Sequence, residues 1–183
     1  MYCAAAVAAL TLGLAACGDQ KAGASADGAA AAQPSSRTLA ASLKDADQLN
    51  ALEGAATSSG LASVLDGVGP YTVFAPTDAA FQTAGGAPSG DQMKAQSAAL
   101  LRAHIVPGAL TRADIAAALD RASGDKVEMR TMADGVLTFS RDGQVVVVTG
   151  PDGASGRLTG DEVLASNGVI QPVDGVLLKP AAK

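Results

Sequence analysis

Large apolar residues in the first half of the chain recur at helical spacing. After Thr38, leucines alternate with good helix formers, and Gly54, Gly60 and Gly67 interrupt the pattern. The leucines at this spacing are Leu39, Leu43, Leu49, Leu52, Leu61 and Leu65. The pattern predicts several short helices rather than one long helix.

The next segment predicts one strand and three more helices. An apolar run over residues 71–75 is typical of a buried strand, and a short helix is expected to begin after Thr77. A longer helix is predicted over 91–104. Another is predicted over 111–119, where the first residue is a threonine cap and Asp114 follows three positions later, close to a capping box.

After Gly124 the spacing of apolar residues changes from 3.6 to 2, which predicts strands over 127–131, 136–140 and 144–149 and a last strand over 169–178. Asp-Gly pairs between or beside these runs are the hairpin signal of an antiparallel meander. They are Asp134-Gly135, Asp142-Gly143 and Asp152-Gly153. The predicted fold class is therefore α+β, with helices first and sheet afterwards.

The N-terminal residues have the layout of an export signal. Tyr2 to Ala16 form an uncharged apolar run that ends in Leu14-Ala15-Ala16 just before Cys17, and this resembles a bacterial lipobox. The resemblance implies a signal peptide over residues 1–16 and lipidation of Cys17. A cleaved secretory signal remains an alternative, as does a short transmembrane anchor or a buried apolar helix, although the run is shorter than the roughly 20 residues needed to span a bilayer.

A linker is predicted to separate Cys17 from the folded part of the chain. Residues 18–36 contain no large apolar side chain, and their Gly, Ser and Ala content is typical of a flexible coil. Residues 17–36 are thus interpreted as a lipidated N-terminus and linker. The expected location is the cell envelope, on its periplasmic or extracellular face, with the membrane as a partner through the lipid anchor.

Composition excludes several classes of function. The net charge of -5 and the lack of a basic stripe argue against a nucleic-acid partner. Both cysteines lie in the export region, so the folded part has no disulfide and no thiolate metal ligand. Three Phe, two Tyr and no Trp make an aromatic stacking platform improbable, and the core must consist mainly of aliphatic residues.

No residue set in the folded part predicts catalysis, a metal or a cofactor. His104 is the only histidine, and we interpret it as a structural residue near a helix C-terminus, hydrogen-bonded and favoured there by the helix dipole. The Asp-Gly pairs fit turns better than a calcium loop. Asp78 fits the start of a helix better than a catalytic acid. The sequence therefore predicts a protein that is not an enzyme.

Three segments in order carry a resemblance to the fasciclin domain family. Residues 72–81 (TVFAPTDAAF) are similar to its first signature, 101–108 (LRAHIVPG) to its central segment, and 167–178 (NGVIQPVDGVLL) to its C-terminal signature. The motif residues are Thr72, Phe74, Pro76, Thr77, Asp78, Phe81, His104, Pro107, Gly108, Asn167, Gly168 and Asp174.

The resemblance implies a fasciclin-like fold over residues 37–180, a β-wedge or sandwich of antiparallel and mixed strands flanked by several short helices. It also implies a non-catalytic adhesion or interaction module whose partner is an unknown protein or glycan. The residues support the same local roles. Pro76 should end the strand, Thr77 should cap the next helix, and Phe74 and Phe81 should anchor the core on either side of that corner.

Some positions depart from the family pattern. Gln171-Pro172 stands where the family commonly has a histidine, and the proline predicts a strand edge or a bulge. Ala103 stands where animal members often carry a tyrosine linked to integrin binding, so integrin recognition is not expected. An alternative function is a periplasmic carrier or sensor that binds a small hydrophobic ligand between helices and sheet.

Overall fold

The described residues form six helices, and the predicted leucines lie in or next to the first three. The computed structural model describes residues 35–88 and 93–179, so the predicted signal peptide, Cys17 and most of the linker lie outside the described residues. The helices are α1 (Leu39–Lys44), α2 (Asn50–Ser59), α3 (Ala62–Asp66), α4 (Asp78–Thr83), α5 (Met93–His104) and α6 (Arg112–Arg121). All six predicted leucines are buried, which confirms the helical pattern. None of these helices is long and apolar enough to cross a membrane.

The predicted cap at the start of α6 is present, and α1 begins with a similar cap. The Thr111 hydroxyl accepts from the backbone N–H of Asp114, and the Asp114 carboxylate accepts from that of Thr111, so the predicted capping box of α6 is present. The Thr111 hydroxyl and N–H lower the pKa of Asp114 below its usual value. Thr38 caps α1 in the same manner. These caps lie within the first turn of each helix, and distant side chains add to them, because the Leu39 N–H donates to Asn167 and the Arg112 N–H donates to Glu162.

Sheet A joins the first and last strands of the fold. Its strands are β1 (Tyr71–Pro76), β2 (Ile105–Pro107), β7 (Val163–Ala165) and β8 (Gly168–Val173), in the order β2-β1-β8-β7. β1 and β8 are parallel, and the other two pairs are antiparallel. The sheet is therefore mixed, as expected for the fold.

Sheet B is an antiparallel meander of β3 (Lys126–Arg130), β4 (Val136–Asp142), β5 (Val145–Thr149) and β6 (Ser155–Arg157). The three predicted Asp-Gly pairs lie at or beside its three successive connections. This confirms the predicted meander. The α+β class with two sheets is also confirmed.

The last strand is shorter than predicted. It ends at Val173 and does not continue to residue 178. Asp174 turns toward sheet B, where its N–H donates to the Arg157 carbonyl and its carboxylate accepts from the Arg157 N–H at 2.6 Å. Pro172 lies within an inner strand of sheet A, where it pairs with Ala75 of β1. The predicted edge is present only on its other side, where pairing with β7 stops at Ile170 and the Pro172 carbonyl accepts from the Thr159 N–H.

The buried residues form two clusters on opposite faces of sheet A. One lies between α1, α2, α3 and α5 and the sheet, and it includes Phe81 and Ile170. The other lies between sheet A, sheet B and α6, and it includes Phe74 and Phe139, whose rings are 5.2 Å apart. Phe74 and Phe81 thus anchor different clusters on either side of the strand-to-helix corner.

Candidate interaction surfaces

The strand-to-helix corner is stabilised by its own polar residues. Pro76 is buried at the end of β1, and the Thr77 hydroxyl accepts from the Ala80 N–H to cap α4. The Asp78 carboxylate points elsewhere. It accepts from the Ala51 N–H at 2.7 Å and from the Asn50 side chain at 3.0 Å, so it caps α2, whose own N-cap residue has no capping side chain.

The electrostatics of Asp78 agree with a structural role. Burial by itself would raise the pKa of this carboxyl, but the hydrogen bonds from Ala51 and Asn50 outweigh burial and the pKa is lowered. A lowered pKa keeps the group ionised, which suits a helix cap and not a general acid. Asp78 therefore joins two helices that are far apart in the sequence.

The central segment is held to β1 by Thr72. This buried hydroxyl donates to the Gly108 carbonyl at 2.7 Å and accepts from the Leu110 N–H at 2.8 Å. Gly108 has φ of 109°, which few other residues adopt, and its N–H donates to the Pro70 carbonyl. Pro107 is the exposed last residue of β2. These residues fix the turn that leads into α6.

Asn167 links three separate segments. Its side-chain oxygen accepts from the Leu39 N–H at 2.8 Å, and its side-chain nitrogen donates to the carbonyls of Leu65 and Gly67 at 2.9 and 2.7 Å. The next residue, Gly168, has no room for a side chain, because a Cβ there would collide with the Tyr71 carbonyl. The turn predicted at this position is present between β7 and β8, and it also ties α1 and α3 to sheet A.

His104 is fully buried at the end of α5. Its Nε2 accepts from the Leu177 N–H at 2.9 Å, so Nδ1 must carry the proton, which it donates to the Leu100 carbonyl at 2.7 Å. Burial lowers its pKa to about 4. The predicted hydrogen-bonded role is confirmed, but the predicted stabilisation by the helix dipole is wrong, because that effect favours a cation and this imidazole is neutral.

The structure also shows a buried polar network that sequence reasoning missed. The side-chain nitrogen of Gln171 donates to the Leu110 carbonyl and to Glu162, and its oxygen accepts from Arg112 at 3.2 Å. Arg112 in turn donates to the Thr159 carbonyl at 2.6 Å. The only sequence signal was the unusual glutamine in the C-terminal signature. The network is structural, since every hydrogen bond named here is to another part of the fold.

The polar groups of the signatures are thus satisfied within the protein. Within residues 35–88 and 93–179, no cluster of three or more His, Cys, Asp or Glu side chains is arranged to hold a metal ion, and every buried side-chain nitrogen and oxygen there has a hydrogen-bond partner. The buried polar groups of the signatures are therefore engaged within the fold, and the exposed surfaces of residues 35–88 and 93–179 are the candidate interaction sites.

One open surface is the side of sheet B that faces away from α6. We call it the outer face. The alternate residues Leu137, Phe139 and Val148 are buried, so the residues between them point outward. The outer face consists of Lys126, Glu128, Arg130, Val136, Thr138, Ser140, Asp142, Val145, Val147, Thr149, Ser155 and Arg157. The run of four valines in β5 was the sequence signal for this surface. Because the side chains of a strand alternate between its two faces, such a run places valines on the outer face as well as in the core.

Two grooves are the other candidates. The α3–β1 groove has a volume of about 490 Å³ and an apolar lining that includes Val68, Pro70, Ala109, Leu164 and Val169. Val68 is 94% exposed beside it. The helical groove between α1, α2 and α3 has a volume of about 400 Å³ and a charged rim that includes Arg37, Lys44, Asp45, Glu53 and Asp66. Arg37 and Asp45 form an ion pair across this rim.

Comparison with known proteins identifies relatives along most of the chain. The protein sll1483 of Synechocystis is 32% identical over 158 residues, which cover 82% of this chain and 78% of that protein. Human stabilin-1 is 33% identical over 156 residues, which cover 79% of this chain and 5% of stabilin-1. Transforming growth factor-beta-induced protein ig-h3 of pig is 31% identical over 148 residues, or 77% of this chain and 19% of that protein.

A solved structure shares the fold. It contains a FAS1 domain pair from the insect cell adhesion molecule fasciclin I, with a TM-score of 0.58 and 19% sequence identity over 74% of this chain and 46% of that chain. The sequence profile of the Fasciclin domain matches residues 47–179. This match spans all three signatures and both sheets, and the chain therefore belongs to the fasciclin domain family.

Proposed function

We propose that this protein is a non-catalytic interaction module, bound to the cell envelope through a lipid on Cys17, that mediates adhesion to a protein or glycan partner. The observation that carries the proposal is the outer face of sheet B. Its centre is uncharged and its rim is charged, which is the distribution found in protein interfaces. The buried polar groups of the signature residues, in contrast, are hydrogen-bonded within the fold.

Family membership supports the same proposal. One structural relative comes from a protein named as a cell adhesion molecule, and relatives such as stabilin-1 are much longer than the segment matched here. One copy of this domain presents a single outer face to a partner. Many copies on a membrane would bind the same partner far more strongly without any new contact.

Membrane attachment is tested by cell fractionation. The Cys17→Ser variant should move from the membrane fraction to the soluble fraction, because the proposed attachment site is lost. Cys3→Ser is the matched control and should remain with the membranes. Retention of Cys17→Ser in the membrane fraction would show that the protein is held there in another way.

Binding through the outer face is tested with substitutions that leave the core intact. Thr138→Arg and Val147→Arg place a long cation at the centre of the outer face and should reduce binding of the displayed protein to envelope or matrix extracts. Ala117→Arg, on the exposed side of α6, is the control. If all three variants bind equally well and keep their circular dichroism spectra, the binding surface is not the outer face.

A second candidate function is a carrier of a small hydrophobic ligand. The α3–β1 groove favours it, since about 490 Å³ lies within the usual range of ligand pockets and the lining is apolar. Native mass spectrometry of protein purified from its host should then show a retained small molecule. Leu164→Glu should release that molecule, whereas Thr138→Arg should not.

A further inference from the structure

The register of sheet B arranges the outer face in rows. Lys126, Ser140, Val147 and Arg157 lie opposite one another in one row across the four strands. The next row contains Glu128, Thr138, Thr149 and Ser155. Residues directly opposite one another in a sheet share a face, so both rows point away from α6. On the edge strand β3, the positive Lys126 and the negative Glu128 therefore lie in adjacent rows.

The rest of the outer face carries little unpaired charge. Asp142 and Arg157 form an ion pair at 3.0 Å, and the Arg130 side chain donates to the Asp134 carbonyl. Within the part of the chain that the structure describes, the Lys126 and Glu128 side chains have no such partner. The centre, on β4 and β5, contains Val, Thr and Ser, and Val145 at its end is 40% exposed. A partner must therefore offer an uncharged centre and one charge of each sign at its edge.

A second copy of this chain meets both requirements. We propose that two copies pair through their outer faces about a two-fold axis that runs across the strands, midway between the Lys126 row and the Glu128 row. Such an axis places Lys126 of each copy opposite Glu128 of the other and forms two ion pairs by one symmetry operation. No like charges fall opposite each other in this arrangement, since Asp142 meets Val136 and Arg157 meets Ser155.

The size of the face determines how strong the pairing is. Four strands about 4.8 Å apart and about five residues long cover roughly 300 Å² in projection. A standard interface buries about 800 Å² on each partner. The dimer is therefore weak in dilute solution, and it forms where the proposed membrane attachment raises the local concentration. The inference rests on the proposed function, whose membrane attachment supplies this concentration, and it names a second copy of this chain as the protein partner of the outer face.

Crosslinking of the full chain on its own membrane tests the pairing. Thr138→Cys places a thiol next to the proposed axis, and a short bis-maleimide should join two copies in isolated membranes. Ser63→Cys, which is exposed on α3, measures random collisions, and the parent without a new cysteine is the blank. We expect the Thr138→Cys variant to give several times more crosslinked dimer than the Ser63→Cys variant.

Charge reversal makes the test specific. Lys126→Glu or Glu128→Lys, each added to Thr138→Cys, converts two attractive pairs to repulsive ones and should lower dimerisation on the order of tenfold. The double variant Lys126→Glu/Glu128→Lys should restore the crosslink. Co-expression of the two single variants should also restore it, because the mixed dimer has both pairs. This rescue excludes misfolding as the cause of the loss.

The outcomes separate this inference from the proposed function. A crosslink no stronger than that of Ser63→Cys, or one indifferent to charge reversal, would overturn the pairing while leaving membrane attachment, and the binding of a different protein or glycan through the outer face, intact. Absence of the protein from the membrane fraction would instead contradict the proposed function. In that case the pairing is tested at high concentration in solution by sedimentation, where the same charge rescue must appear for the inference to stand.

Discussion

Acidification from pH 7 to pH 5 should destabilise the folded domain through His104. Burial lowers the pKa of this imidazole from its usual 6.5 to about 4. Between these two values the unfolded chain binds a proton that the folded chain does not bind, so the free energy of unfolding falls as the pH falls. The change is about 1.4 kcal/mol per pH unit.

The magnitude follows from the width of this window. Above pH 6.5 the His104 imidazole is neutral in both the folded and the unfolded chain, so it does not change the free energy of unfolding. By pH 5 the loss is about 2 kcal/mol, and by pH 4 it reaches about 3 kcal/mol, where it levels off. A domain of this size has a total stability of about 5 to 15 kcal/mol. A loss of 2 kcal/mol corresponds to a decrease in Tm of roughly 4 to 8 °C.

The effect can be assigned because the chain has one histidine. Burial opposes ionisation of Asp78, but the hydrogen bonds to its carboxylate still lower its pKa. The pKa of Asp114 is lowered by hydrogen bonds from the Thr111 hydroxyl and N–H. Both carboxyls therefore titrate below the window from pH 5 to pH 7. The charge of Asp152 slightly favours protonation of His104, but burial is the larger effect.

The assay is urea unfolding of the parent and of His104→Gln at several pH values between 5 and 7. The variant should be less stable at pH 7, since the hydrogen bonds to Leu100 and Leu177 are altered, but its stability should not depend on pH in this range. A parent whose stability is constant from pH 7 to pH 5 would refute the reasoning. The same pH dependence in the glutamine variant would refute it equally.

Three further predictions concern stability and binding. Phe74→Ala should lower the free energy of unfolding by roughly 3 to 5 kcal/mol because it leaves a cavity next to Phe139, whereas Phe74→Leu should lower it much less. An unchanged melting temperature for Phe74→Ala would contradict this packing. Asp78→Ala should lower the free energy of unfolding by about 0.5 to 2 kcal/mol because α2 loses its cap, and Asp47→Ala, at an exposed position, is the control. Equal stability of the two variants would show that the Asp78 cap does not stabilise the domain. Partner binding should survive a metal chelator, and its loss would show that a metal takes part.

Local features of the fold could be predicted from the sequence. The Asp-Gly pairs specify turns by their own backbone preferences, so the meander of sheet B follows from neighbouring residues. Thr77 and Thr111 cap helices that begin one residue later. In each case the cause and the structure lie within a few residues, and nothing distant overrides them.

Contacts between distant residues could not be predicted in the same way. The last strand ends before Asp174, because the N–H and the carboxylate of Asp174 are hydrogen-bonded to the Arg157 backbone. The tautomer of His104 depends on the Leu177 N–H, which donates to Nε2 and is far along the chain. The outer face became visible only when the register placed Lys126 and Glu128 in adjacent rows. Spacing along one segment contains no information about such partners.

The parallel pairing of β1 with β8 has a consequence for how the chain folds. Tyr71 pairs with Gly168, so the centre of sheet A is complete only when almost all of the chain is available. Pairing over so long a separation requires a large loop to close before the contacts form, which slows folding. The helices alone leave one side of their cluster uncovered until then. We expect fragments that end before residue 163 to remain unfolded by circular dichroism, and a well-folded fragment of that length would contradict this order of events.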